Sequence, residues 1–160
     1  MFRGNLGTIG LMAVGFILVI SALQFFIAEI TRDYFSSGNT HLVNKEYDKA
    51  IADYAEAIKV DPNDARPYER LAWVLATSTK DELRDGKKAV DYAKKACELT
   101  DWKKPDYLAT LSAAFAESRD FQEAIKWQMK ALEAPELEQD KDSEYRQRLK
   151  MFQEGKPYRE

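Results

Sequence analysis

"YDKAIADYAEAIKVDP" (residues 47–62) sets Ala50 and Ala57 seven residues apart, and seven residues is two helical turns. The same spacing returns at Ala89 and Ala96, and again at Ala124 and Ala131 within "FQEAIKWQMKALEAP". Ile51, Val90 and Ile125 follow the first alanine of each pair, and Tyr54 and Ala93 fall on the same side. Three helices therefore carry a stripe of small residues flanked by larger apolar ones. Catalysis rarely needs recurring alanines, whereas close helix packing does, because small side chains let a second helix approach.

The partners that such stripes need lie upstream. "YERLAWVLATS" places Tyr68, Leu71 and Leu75 at helical spacing, and "YLATLSAAFAES" does the same with Leu108, Leu111 and Phe115. Pro67 and Pro105 suit a first helical turn, while "DPND" at Asp61–Asp64 and "AP" at Ala134–Pro135 end helices. The unit is a helix hairpin of about 34 residues, repeated three times. After it, Tyr145, Leu149 and Phe152 form one apolar stripe, Arg146, Arg148 and Lys150 keep the rest wet, and Gly155 and Pro157 stop the helix. An extra helix of this kind would cover the apolar face that a stack exposes at its end.

The N-terminal region has another character. Leu6–Ala28, "LGTIGLMAVGFILVISALQFFIA", carries no charge, and only Arg3 of the 24 Lys and Arg lies before it. As a helix it would reach about 34 Å, enough to cross a hydrocarbon core of about 30 Å. "VISA" at Val19–Ala22 offers small residues for a signal peptidase, but "LQFFIA" continues the apolar run, which suits an uncleaved anchor. Arg3 on the short side, against Glu29, Arg32 and Asp33 on the other, predicts a cytoplasmic N-terminus and an extracytoplasmic, periplasmic remainder. The span is expected to lead directly into the first helix of the first hairpin, with a bend permitted at "SSGN", Ser36–Asn39.

Composition narrows the function. The net charge is −3 with both signs interspersed, so no nucleic-acid or polyanion partner is expected. One cysteine, Cys97, and one histidine, His41, leave no spaced ligand set, so no metal and no cofactor are expected. Cys97 reads as a packed residue and His41 as a packing or hydrogen-bonding one. "RDG" at Arg84–Gly86 reads as a turn with Asp85 near a helix cap and Arg84 paired locally. Glu136 with Glu138, and Asp140 with Asp142, lie in a solvated acidic linker with nothing to raise a pKa. No catalytic residue is assigned, and the chain reads as no enzyme.

The hairpin pattern resembles the tetratricopeptide repeat family. Tyr34, Gly38, Tyr47, Ala50, Tyr54, Ala57 and Pro62 stand where that pattern asks for aromatic, small or proline residues. "LAWVLATS", "RDGKKAVDYAKKACELT" and "YLATLSAAFAE" look like a bacterial subgroup of these repeats, and "YRQRLKMFQEGKPYRE" looks like its closing tail. The second repeat departs from the pattern by extra residues between its helices, "TSTKDELRDGK".

The resemblance implies an all-α fold: an α-solenoid of three tetratricopeptide-like hairpins plus a C-terminal capping helix, preceded by one transmembrane helix. Residues 1–30 would form the anchor, residues 31–64, 65–104 and 105–137 the repeats, and residues 138–160 the capping helix and tail. The first helices of such a stack line its concave face. There Arg66, Glu69, Trp73, Thr77, Asp106, Ala109, Ala113 and Glu117 are expected to meet a partner peptide or helix, with Trp73 as the anchor.

Some members grip a C-terminal carboxylate with lysines and asparagines on that face. Asp106 stands where a base would be wanted, so binding of chaperone tails is disfavoured. The expected role is a membrane-tethered protein-interaction scaffold. Two alternatives stay open: a self-associating envelope component with Gly4, Gly7, Gly10 and Gly15 packing its anchors into a homo-oligomer, or a soluble secreted module after cleavage.

Overall fold

Seven α-helices follow one another in the computed structural model, which describes the backbone of residues 6–134 and 139–160 and the side chains of residues 17–134 and 141–160. They are α1 (Leu6–Val43), α2 (Tyr47–Val60), α3 (Ala65–Thr77), α4 (Gly86–Leu99), α5 (Pro105–Glu117), α6 (Phe121–Leu132) and α7 (Gln139–Gln153). One turn of 3-10 helix, Asp81–Leu83, lies between α3 and α4. No strand occurs among the described residues. Arg3, Gly4, Pro135, Glu136, Glu138 and the boundary after residue 137 lie outside them.

Local chemistry sets the helix starts. Asp64, Asp85 and Asp120 are N-caps whose carboxylates accept the backbone N–H of Arg66, Lys88 and Glu123, filling donors that the first turn leaves open. Pro105 begins α5, where a missing N–H costs nothing. The stops are less regular. Lys45, Trp102 and Arg119 take φ near +60°, an unusual region for residues with a Cβ. Gly155, at φ +70°, ends α7, and the Lys156 N–H closes the turn on the Met151 carbonyl.

The helices pair as antiparallel hairpins, α1 with α2, α3 with α4 and α5 with α6, and α7 packs on α6. Every stripe alanine, Ala50, Ala57, Ala89, Ala96, Ala124 and Ala131, is fully buried, as the spacing requires. Larger side chains fill the space that the alanines leave: Tyr54, Leu111 and Phe152 are also inaccessible. Burying an aliphatic or aromatic side chain of this size stabilises by about 1.5–3 kcal/mol.

Two expectations need correction, and a third is extended. The bend permitted at Ser36–Asn39 does not occur, because α1 runs unbroken to Val43. Gly38 is needed there for space: it faces the Tyr54 ring, and Tyr54 donates its hydroxyl to Asn39 Oδ1 at 2.8 Å. Arg148 is not on the wet side of α7. It is buried between the rings of Trp73, Tyr145 and Tyr158, at 4.7, 5.4 and 4.8 Å from their centroids. Arg84 pairs with Asp81 nearby, as expected, but its Nε also donates to Glu117 Oε1 at 3.0 Å, tying the inserted loop to α5.

The expected membrane span is not established by the fold. Among the described residues no helix is long and apolar enough to cross a membrane.

Candidate interaction groove

Four helices converge on a cleft of about 380 Å³: Phe35 comes from α1, Arg66, Glu69, Arg70 and Trp73 from α3, Asp106, Tyr107 and Thr110 from α5, and Lys141, Glu144, Tyr145 and Arg148 from α7. On α3, Arg66, Glu69, Arg70 and Trp73 share one face because residues three and four apart are neighbours on a helix. That face is the concave one.

Each cation in the cleft already has an anion. The Asp64 cap that starts α3 also takes two bonds from the Arg66 guanidinium, Nε at 3.0 Å and Nη2 at 2.6 Å, and thereby sets it 5.0 Å above the Phe35 ring. The Asp64 hydrogen bonds hold the Arg66 pKa above its usual value. Lys141 donates to Asp106 Oδ2 at 2.8 Å, and the Tyr145 hydroxyl donates to Asp106 Oδ1 at 2.5 Å. Burial would raise the Asp106 carboxyl, but these two bonds outweigh it and hold the pKa below the usual value. Burial pushes the Tyr145 hydroxyl up, and Asp106 adds to the shift. Arg148 pairs with Glu144 one turn back along α7.

Glu69 forms the floor and is only 8% exposed. Thr110 donates to its Oε1 at 2.8 Å, and Arg70 Nε lies 3.5 Å from its Oε2. Burial pushes its carboxyl above the usual range, against the opposing pull of Arg70 and Thr110. No group of three or more potential metal ligands occurs among the described residues. Cys97 is buried in the core and distant from the role of a nucleophile, its thiol pushed up to about 12 by burial. His41 Nδ1 shares a 2.5 Å hydrogen bond with Glu46 Oε2, a local contact of the α1–α2 turn. Flat aromatic faces rimmed by paired charges can take up an amphipathic segment.

Of the eight residues expected on this face, Arg66, Glu69, Trp73 and Asp106 line the cleft. Thr77, Ala109 and Ala113 do not present a free surface: they are 1%, 1% and 2% exposed, the two alanines within the core that also holds Tyr145 and Phe152. Glu117 is spent on charge pairing, with Arg84 on one oxygen and Arg159 Nη2 2.5 Å from the other. Trp73 is half-buried rather than open. The α7 wall lies outside the expected set, because the sequence reading gives Tyr145 and Arg148 to a cap. A signal for it exists, since Tyr145, Arg148 and Phe152 share one stripe, which puts an arginine among the buried positions.

Stacked antiparallel hairpins with a concave face of first helices define an α-solenoid repeat protein. Residues 33–64 match the family described as Tetratricopeptide repeat. The N-terminal domain of stress-induced protein-1 (STI-1) from C. elegans has a similar fold, with a TM-score of 0.60 at 20% identity, covering 79% of this chain and 97% of that one. No curated protein sequence matches. Residues 33–64 thus carry the sequence signature of one tetratricopeptide repeat, and the likeness to the STI-1 domain extends that relation to the fold of the stacked hairpins.

Proposed function

We propose that this chain recruits a protein partner by taking a peptide or helix into the concave cleft. The carrying observation is the convergence of Phe35, Trp73, Tyr107 and Tyr145 in one cleft whose cations are already paired. Such a site favours an amphipathic segment with its own mixed charges over a polyanion. The test is site-specific photocrosslinking from Tyr107 in the full chain in cells. A discrete adduct that Arg70→Glu weakens supports the cleft, and an adduct pattern unchanged by Arg70→Glu counts against it.

The tether belongs to the same proposal. Leu6–Ala28 is uncharged, α1 is helical from Leu6, and Ile17, Leu18, Val19, Leu23, Phe25 and Phe26 are each more than half exposed. A contiguous apolar surface of that size favours a non-aqueous setting. With Arg3 on the cytoplasmic side, the repeats would lie outside the cytoplasm. Thr79 is exposed in the loop after α3, so labelling a Thr79→Cys variant in intact cells with an impermeant maleimide tests the orientation. Recovery of the protein in the carbonate-washed membrane fraction tests the tether, and loss from that fraction would overturn it.

A further inference from the structure

The tail beyond α7 does not trail into solvent. It turns at Gly155 and returns to the C-terminal end of α3, more than eighty residues away in sequence. There the Trp73 indole N–H donates to the Glu160 carboxylate, and the Tyr158 ring lies 5.7 Å from the Trp73 ring. Arg148 packs against both the Trp73 and Tyr158 rings, 4.7 and 4.8 Å from their centroids. Arg159 places Nη2 beside Glu117 and Nη1 3.4 Å from the Ala76 carbonyl.

These contacts complete a helix end. The last carbonyls of an α-helix have no partner within it. In α3 the Val74 carbonyl accepts from the Ser78 N–H and the Leu75 carbonyl from the Asp85 N–H. The next two are served by the tail: Ala76 by Arg159, and Thr77 by the Glu160 N–H at 3.0 Å. The last turn of α3 contains no basic residue of its own, so Arg159 also supplies the positive charge that a helix C-terminus favours.

We propose that Tyr158–Glu160 is a tethered occupant of a site at the C-terminal end of α3, next to the concave cleft. An external segment of the same chemistry, an aromatic residue followed by a basic and then an acidic one, binds this end of α3 by displacing it. The inference rests on the reading of the concave face as a peptide site. Trp73 and Arg148 connect the two, since both line the cleft and both hold the tail. What the tail leaves behind is a specific set of complements: an aromatic face with an indole donor, two carbonyls at a helix end, and the Glu117 carboxylate. An extended peptide with one backbone N–H, one guanidinium and one carboxylate satisfies all of them. The side chains and the N–H carry this recognition, so it needs no free chain terminus.

The probe is an amidated, fluorescein-labelled peptide of residues 155–160, GKPYRE. It is titrated by anisotropy against the detergent-purified full chain and against the full chain carrying Tyr158→Ala and Glu160→Ala. The double variant is expected to bind at least about tenfold more tightly than wild type, since binding to a site occupied intramolecularly is weakened by that occupancy. Trp73→Ala added to the double variant should abolish the gain. Equal affinity for wild type and double variant overturns the proposal, as does absence of saturable binding to both. Should the double variant not fold, Glu160→Ala alone carries the same comparison with a smaller expected gain. The Tyr107 crosslink reports the cleft separately: an adduct that persists while the peptide fails to discriminate removes the tail from the scheme and leaves the cleft.

Discussion

Gly38 lies so close to Tyr54 that a Cβ placed on it would meet Tyr54 Cε1 at 2.6 Å. Tyr54 cannot retreat easily, being fully buried and hydrogen-bonded to Asn39. Gly38→Ala should therefore destabilise the fold. Overpacking costs about 1–3 kcal/mol, and the better helix propensity of alanine returns about 1 kcal/mol. Urea unfolding of the variant checks this, and an unchanged or raised midpoint would show that the α1–α2 contact yields.

Glu69 predicts a pH dependence of known sign. Its pKa in the folded chain is raised above the ordinary 4.5, chiefly by burial, with Arg70, Thr110, Asp106 and Arg148 also acting on it. Its stabilising contribution is then full below pH 4.5 and is lost as pH rises through the folded value. Glu69→Gln keeps an acceptor for Thr110 and removes the titration. The variant should gain stability relative to wild type as pH rises from about 4 to about 8, measured by chemical denaturation. Parallel profiles would mean that Arg70 neutralises the carboxylate fully.

Gln128 ties three helices together while wholly inaccessible: its side-chain oxygen faces the Ser112 hydroxyl on α5, and its amide donates to the Tyr145 carbonyl on α7 at 3.2 Å. Gln128→Ala should cost about 2–4 kcal/mol from the cavity and the unmet polar groups. Hydrogen exchange should show the loss concentrated in α7, and a uniform change across all helices would contradict this assignment.

Cys97 should resist thiol reagents. It is fully buried, and burial lifts its thiol to about 12. Thiolate and access are both lacking, so iodoacetamide at about pH 8 should modify the native chain about a thousandfold more slowly than the denatured one. Rapid modification without loss of helicity would require local opening of α4.

The stack itself is legible in the sequence because its signal is periodic. The alanine pairs repeat at two helical turns, and one-sided burial of such a stripe leaves little choice of architecture. Asp85 likewise announces its cap. The groove is legible where α3 and α5 contribute alone, at Arg66, Glu69, Trp73 and Asp106. Thr77, Ala109 and Ala113 sit on the expected helices, but the chain's later segments help to close the space around them, and no pattern within α3 or α5 records that. Tyr158, Arg159 and Glu160 carry no helical period. Their partners on α3 and α5 lie more than forty residues away, so the return of the tail comes from three-dimensional closure rather than from any local preference.

The unbroken course of α1 makes it a stiff shaft of 38 residues, about 57 Å long. With no joint between the oily stretch and Phe35, twisting the one turns the other by an equal angle. Adding a single residue near Glu29 would swing the mouth of the stack by about 100° around that shaft. The compass bearing of the cleft is thus written in how many residues separate Ala28 from Phe35.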